Sequence, residues 1–388
     1  MNEHKYFPPP RGFNFQFSIF TFFFVPLQNY MEAIEESYIC QGQEFAAIMD
    51  TLSRHPLAAK LFPGLSAEAL HQHFQDYHDV DSFQADAMYR ACQYLIQNTV
   101  SSFTCSGQEY LDGTPSLFIS NHRDIVVDSL LLQYQLVTLG HSTTHIVIGA
   151  NLFEMPLMAL LAKVNKMIAI PRGGGLKSYY SNLMHLSTLL HSLVVGQGQS
   201  VWIAQRNGRT KDGIDRTEPA LVKMISSAGT DPVQTLAAMH IVPLSISYQW
   251  EPCAPLKARE LCLRQQGPYT KAPGEDTESI VSGITQQKGH VHLAVCPPLT
   301  LAELQATQGN PHSVADLIDS RINQAYCIHD TNQAAALMLK GQSIQHLPVA
   351  EQFTDYIDQA CLLYPLCPQY RHTLLSIYAN PCSNRLNV

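Results

Sequence analysis

From about residue 115 the chain keeps repeating one texture, which constrains its fold more than any other feature. A short apolar run is followed by a polar or glycine-containing turn, and then by a helical pattern. The runs fall at 116–120, 145–149, 167–170, 201–204, 241–247 and 290–296. Helical patterns lie between them at about 129–139, 152–165, 176–195 and 217–228. Strands alternating with helices predict an α/β fold with a mixed, largely parallel sheet flanked by helices. Interior strands of such a sheet are covered on both faces and so read as unbroken apolar runs. Function is then expected in the turns that follow the strands.

On either side the pattern is helical. Residues 31–105 carry helical spacing through Phe45, Ile48, Met49 and Leu52, and again through Met88, Cys92, Leu95 and Ile96. Ser66 is a candidate N-cap, with Glu68 in the first turn behind it. Residues 266–288 read as a loop and an exposed helix, 301–326 as helical, and the tail to 388 as weakly patterned. The organisation expected is an N-terminal extension over 1–30, helical regions over 31–105 and 299–388, and an α/β core over 106–298. Residues 13–25 are rich in phenylalanine but too short and too polar to span a bilayer as a helix. They suit an interfacial anchor, or else translation begins at Met31.

A formal net charge of −8 excludes a general nucleic-acid binder, which needs clustered Lys and Arg. It leaves room for a local basic patch. The ten cysteines form no CxxC pair and, like the 17 histidines, show no spacing that organises a zinc site. They are read as reduced, mostly buried thiols, and no metal is expected.

Two segments carry chemistry. In Phe118-Ile-Ser-Asn-His-Arg-Asp-Ile-Val-Val-Asp-Ser129, an apolar strand ends at Ser-Asn-His and a leucine-rich helix begins just after Asp128. His122 therefore sits in a turn with Asp124 and Asp128 close by. A histidine of near-neutral pKa beside a carboxylate is the minimum needed to deprotonate an alcohol. The plainer reading of this segment alone is a loop histidine next to a helix-capping aspartate. In Val201-Trp-Ile-Ala-Gln-Arg-Asn-Gly-Arg-Thr-Lys-Asp-Gly213, a second strand runs into a turn holding Arg206, Arg209 and Lys211. Arginine offers paired donors that match phosphate, and glycine lets the backbone approach a ligand closely. A solvated polar loop is the alternative. Pro171-Arg-Gly-Gly-Gly175 fits neither GxGxxG nor GxxxxGK[ST], so no nucleotide-binding fingerprint is present.

Taken in order, these segments resemble the four sequence blocks of the glycerolphosphate and lysophosphatidate acyltransferase superfamily. The blocks correspond to Asn121-His122 with Asp128, Met167-Ile-Ala-Ile-Pro-Arg172, Ile203-Ala-Gln-Arg-Asn-Gly-Arg209 and Ile241-Val-Pro-Leu-Ser-Ile-Ser-Tyr248. The resemblance covers roughly residues 106–298 and extends to a bacterial branch sharing the Asn-His-Arg-Asp-Ile and Trp-Ile-Ala-Gln-Arg wording. It implies transfer of a fatty acyl group from acyl-CoA or acyl carrier protein to a hydroxyl of glycerol 3-phosphate or a lysophospholipid. It further implies His122 as base and Asp128 as its orienting partner, with Asp124 in reserve. Arg172, Arg206 and Arg209 become candidates for the phosphate, with Gly208 permitting close approach. Asn121, Arg123, Asn207 and Lys211 complete the expected substrate-binding set. No cofactor beyond the acyl thioester co-substrate is implied. The expected location is peripheral, on the cytoplasmic face of the inner membrane, and residues 153–161 are candidates for an acyl-chain groove.

Two departures from the family pattern are visible. Asp128 lies six residues after His122 where the family places Asp five after His, so the pair needs a turn before the helix begins. Asn207 stands where the third block has glutamate. Both motivate an alternative, a catalytically silent member that binds lipid or acyl carrier protein. The distance between His122 and Asp128 distinguishes the two readings.

Overall fold

The computed structural model of the chain describes residues 40–150, 156–170, 176–272, 274–364 and 368–386. The phenylalanine-rich run at 13–25, Arg172 and its glycine turn lie outside the described residues. Seven strands form one sheet: β1 (Val100–Ser106), β2 (Leu117–Ser120), β3 (His145–Gly149), β4 (Met167–Ile170), β5 (Val201–Ala204), β6 (Ile241–Tyr248) and β7 (Gly289–Val295). Their order is β1-β7-β6-β2-β5-β3-β4. The block β6-β2-β5-β3-β4 is parallel throughout. β7 runs antiparallel to β6 and carries β1 parallel to itself at the edge. The fold is thus α/β with a mixed, mostly parallel sheet and helical regions at both ends.

β2 occupies the middle of the parallel block, and its two faces feed two cores because successive strand residues point to opposite sides. Leu117 and Ile119 join Ile203, Leu190, Val222 and Ile318 on one face. Phe118 joins Trp202, Val242 and Leu244, together with Val127, Leu131 and Leu132 of helix Val127–Thr138, on the other. Truncating Ile119, which is fully buried, to alanine should cost about 2–5 kcal/mol. After β6, helix Ala254–Gln266 packs Ala258 and Cys262 against Phe353, Ile357 and Leu374 of the C-terminal helices. At the other end, Leu160 and Leu161, from the stretch considered for an acyl groove, pack on an N-terminal cluster containing Phe45, Met49 and Phe74. Among the described residues no helix is long and apolar enough to cross a membrane.

Six strands coincide with the apolar runs read from the sequence, and Ser66 accepts the N–H of Ala69 as an N-cap should. Two readings need correction. Residues 100–106 form strand β1, although the whole of 31–105 reads as helical. Helical spacing stops at Thr99, and Val-Ser-Ser-Phe-Thr-Cys-Ser suits a half-exposed edge strand rich in β-formers. The helix expected over 301–326 is broken in two, because the Asn310 side chain caps a new helix at the N–H groups of His312 and Ser313, with Pro311 at its first position. The C-terminal region is helical as expected, its weakly patterned tail holding Asp330–Leu339, Ala350–Leu363 and Tyr370–Leu386.

Candidate active site

The central strand β2 delivers Asn121-His122-Arg123-Asp124 to the carboxyl end of the parallel block, where the chain turns before helix Val127–Thr138 starts. Asp124 makes that turn. Its Oδ1 accepts the N–H groups of Val126 and Val127, each at 2.9 Å, satisfying donors that open the helix. The helix then carries Asp128 in its first turn, where the positive end of the helix dipole favours a carboxylate.

The turn supplies the geometry that six-residue spacing alone withholds. His122 Nδ1 lies 3.0 Å from Asp128 Oδ2, which also accepts the N–H of Arg123 at 2.7 Å and of Asp124 at 2.9 Å. Asp128 Oδ1 accepts the Tyr248 hydroxyl at 2.6 Å. Burial, reinforced by the Asp128 carboxylate, pushes the Tyr248 phenol well above its ordinary pKa, so it stays protonated and donates. A carboxylate held by three outside donors can only accept from the imidazole. That fixes the proton of a neutral His122 on Nδ1 and leaves the Nε2 lone pair for a substrate proton. Asp128 is 1% exposed, whereas His122 keeps 15% exposure and stands edge-on to Trp202 at 5.9 Å.

Other members of the expected site sit differently. Arg123 is fully buried and is no substrate arginine. Its guanidinium bonds Asp215 at 2.6 Å and Glu251 at 3.3 Å, and stacks over the Tyr326 ring at 5.2 Å. Burial alone would lower its pKa, but Asp215 and Glu251 overcome this and raise it well above the usual arginine value. Lys257 closes the network by donating to Glu251 at 2.6 Å and to the Arg123 carbonyl at 2.7 Å. Asn121 is buried as well, and staples β2 to β6 through the N–H and carbonyl of Ile246. Both residues position the His122 turn from beneath rather than facing a ligand.

The second turn follows β5 alongside. Gln205 N–H donates to the Ser120 carbonyl at 2.8 Å and Thr210 N–H to the His122 carbonyl at 2.6 Å, so the basic turn is fastened to the histidine's own backbone. Gly208 adopts φ 78°, a left-handed conformation that side chains resist, and Asn207 is exposed beside it. Arg206 Nε, Arg209 Nη1 and the Thr210 hydroxyl are buried without a hydrogen-bond partner. Buried donors left unpaired cost free energy, so this turn is prepared for an acceptor such as an anionic oxygen. Lys211, by contrast, is already ion-paired with Glu260. Arg209 continues into a pocket lined by Lys257, Arg259, Tyr269 and Lys271 among acidic neighbours.

Sequence reasoning passed over Tyr248, Asp215, Glu251 and Lys257. Tyr248 does end the fourth apolar block, and a phenol closing a buried strand needs a partner. The other three had no local signal, since their partners in the network lie up to 134 residues away along the chain.

Residues 102–247 match the family model described as Acyltransferase. That stretch, which holds the His122 turn and the basic turn after β5, is similar to acyltransferase domains. Among solved structures the chain is similar, at 12% identity and a TM-score of 0.39, to the 1-acyl-sn-glycerophosphate (LPA) acyltransferase PlsC from Thermotoga maritima, over 67% of this chain and 82% of that one. No curated protein matches the chain.

Proposed function

We propose that the protein transfers a fatty acyl group from a thioester to a hydroxyl of glycerol 3-phosphate or a lysophospholipid. The observation that carries this reading is the dyad of His122 and Asp128 at 3.0 Å, fastened to a turn with unpaired arginine donors. His122 Nε2 takes the proton of the acceptor hydroxyl as its oxygen attacks the thioester carbonyl. The tetrahedral oxyanion collapses, the carbon–sulfur bond breaks, and the thiolate leaves with the proton returned by the imidazolium. Asp128 holds the ring and stabilises its charged form, and Tyr248 and two backbone N–H groups hold Asp128. Arg206 and Arg209 would bind the acceptor phosphate, and both acyl-CoA and acyl carrier protein remain suitable donors. A lysolipid acceptor resides in the bilayer, so the protein would work as a peripheral enzyme at the cytoplasmic membrane face.

The test is to incubate the purified protein with labelled acyl-CoA, and separately with acyl carrier protein thioester, against glycerol 3-phosphate and a lysolipid panel. Product from the wild type and none from a folded His122→Ala variant is the expected result. Equal turnover by both would remove His122 as base. Lipid binding without any product would establish instead a silent lipid-binding protein, the reading that Asn207 motivates.

A further inference from the structure

A second polar cluster lies across the sheet from the dyad's neighbourhood, at the inverted pair β1 and β7. His290 and His292 stand two residues apart on β7 and so project to the same face. The Thr104 hydroxyl of β1 lies 2.7 Å from both His290 Nε2 and His292 Nδ1, and Ser106 Oγ lies 2.9 Å from His292 Nε2. Across from them the connection between helices Pro311–Ala325 and Asp330–Leu339 brings in Cys327 and His329. A ring nitrogen from each of His290 and His329 and the Cys327 sulfur all lie within 4.8 Å of one another. His329 is 6% exposed, and its Nε2 is buried with no hydrogen-bond partner. The rings of His290 and His329 meet edge-on at 5.2 Å.

We propose that His290, Cys327 and His329 bind one thiophilic transition-metal ion of the Zn²⁺ class, cross-linking β7 to the connection before helix Asp330–Leu339. Two imidazoles and a thiolate are a donor set that selects such ions over Mg²⁺ or Ca²⁺. Metal–ligand bonds of about 2.0–2.3 Å put tetrahedral donors roughly 3.4–3.8 Å apart, so atoms within 4.8 Å of one another need to close by at most about 1.4 Å. A buried imidazole nitrogen without a partner is the group that such closure satisfies. The Thr104 hydroxyl supplies the outer hydrogen bond that fixes the His290 ring, as ligating histidines require. Three protein donors leave a fourth position for water. Local sequence spacing shows none of this, because the third ligand lies on a strand 37 residues before Cys327 (327 − 290).

The test uses full-length protein freed of metal by chelator and titrated with Co²⁺ as a spectroscopic probe. One equivalent should produce a sulfur-to-cobalt charge-transfer band with the visible absorption of a tetrahedral site, and Zn²⁺ should displace it and raise the Tm. Cys327→Ser should abolish the charge-transfer band, and His290→Gln should weaken Co²⁺ binding by about 10–100-fold or more. Circular dichroism of both variants without metal checks that they fold, and the partly exposed Cys327 carries the test if a histidine variant does not. Absence of the band, or a band unchanged in Cys327→Ser, would overturn the proposal. Neither outcome bears on acyl transfer, which is assayed separately.

Discussion

Two side chains share Asp128 through its two oxygens, with Tyr248 donating to Oδ1 at 2.6 Å and His122 facing Oδ2 at 3.0 Å. Tyr248→Phe removes only the first contact and leaves a buried carboxylate oxygen unsatisfied, a loss of about 1–3 kcal/mol. The expected outcome is a fall in kcat of about tenfold with KM little changed, read from acyl-transfer kinetics beside a urea denaturation curve. An unchanged kcat would show that Tyr248 supports the fold and not the dyad.

The two aspartates near His122 should separate by phenotype. Asp128→Asn keeps the shape but offers the imidazole an amide that can stabilise the wrong tautomer, so kcat should drop about 10³–10⁴-fold. Asp124→Asn, which touches the helix start and not the ring, should cost about 1 kcal/mol of stability and far less activity.

Arg206→Ala and Arg209→Ala should raise KM for a phosphorylated acceptor more than they lower kcat, since they would serve binding. A charge-assisted hydrogen bond of about 1.5–3 kcal/mol corresponds to roughly 10–100-fold. The same variants tested on a phosphate-free acceptor should show no such effect.

Gly283 lies far from the His122 turn in sequence but against its Asp124 in space. A Cβ there would meet Asp124 Oδ2 at 2.1 Å, an atom buried with no hydrogen-bond partner of its own. Alanine normally stabilises a helix interior by up to about 1 kcal/mol relative to glycine. Here the clash should reverse the sign, and Gly283→Ala should lose about 1–3 kcal/mol and some activity as the His122 turn shifts. A stabilised, fully active variant would contradict this packing.

Lys288 gives a pH signature. It is fully buried, and desolvation lowers its pKa from 10.5 to about 8 although Thr99 and the Gln286 carbonyl accept from it. Between these values the unfolded chain binds more protons than the folded one, so its contribution to stability rises with pH from about 8 to 10.5. The stability difference between Lys288→Met and wild type should therefore shift in favour of the wild type across that window, as followed by urea midpoints. A constant difference would exclude the buried-lysine account.

The parallel block was legible because β2, β5 and β6 are covered on both faces and leave unbroken apolar runs. β1 was not, because its half-exposed pattern mixes serine and threonine with few apolar residues, and its pairing depends on a distant strand. At the site, His122 could be picked out by its position after a strand. Whether Asp124 or Asp128 partnered it depended on a turn whose geometry is set by Asp124's own hydrogen bonds. Arg123 misled because arginine beside a candidate base suggests phosphate, while its partners Asp215 and Glu251 are assembled only by the tertiary fold. Buried charge networks of this kind carry no local periodicity to read.

The inverted edge also bears on how the chain is made. Among the described residues β1 pairs only with β7, and the first registered pair, Val100 with Gly289, is separated by 189 residues (289 − 100). At ribosomal rates of about 5–20 residues per second, β1 leaves the exit tunnel roughly 10–40 s before its partner does. During that interval β2 to β6 can already associate, while β1 waits as an unpaired strand. Its serines and threonine make the wait safer than an apolar strand would, since polar edges resist joining other chains. Slowing translation between β6 and β7 would lengthen the exposure of this strand and leave every contact of the finished protein unchanged.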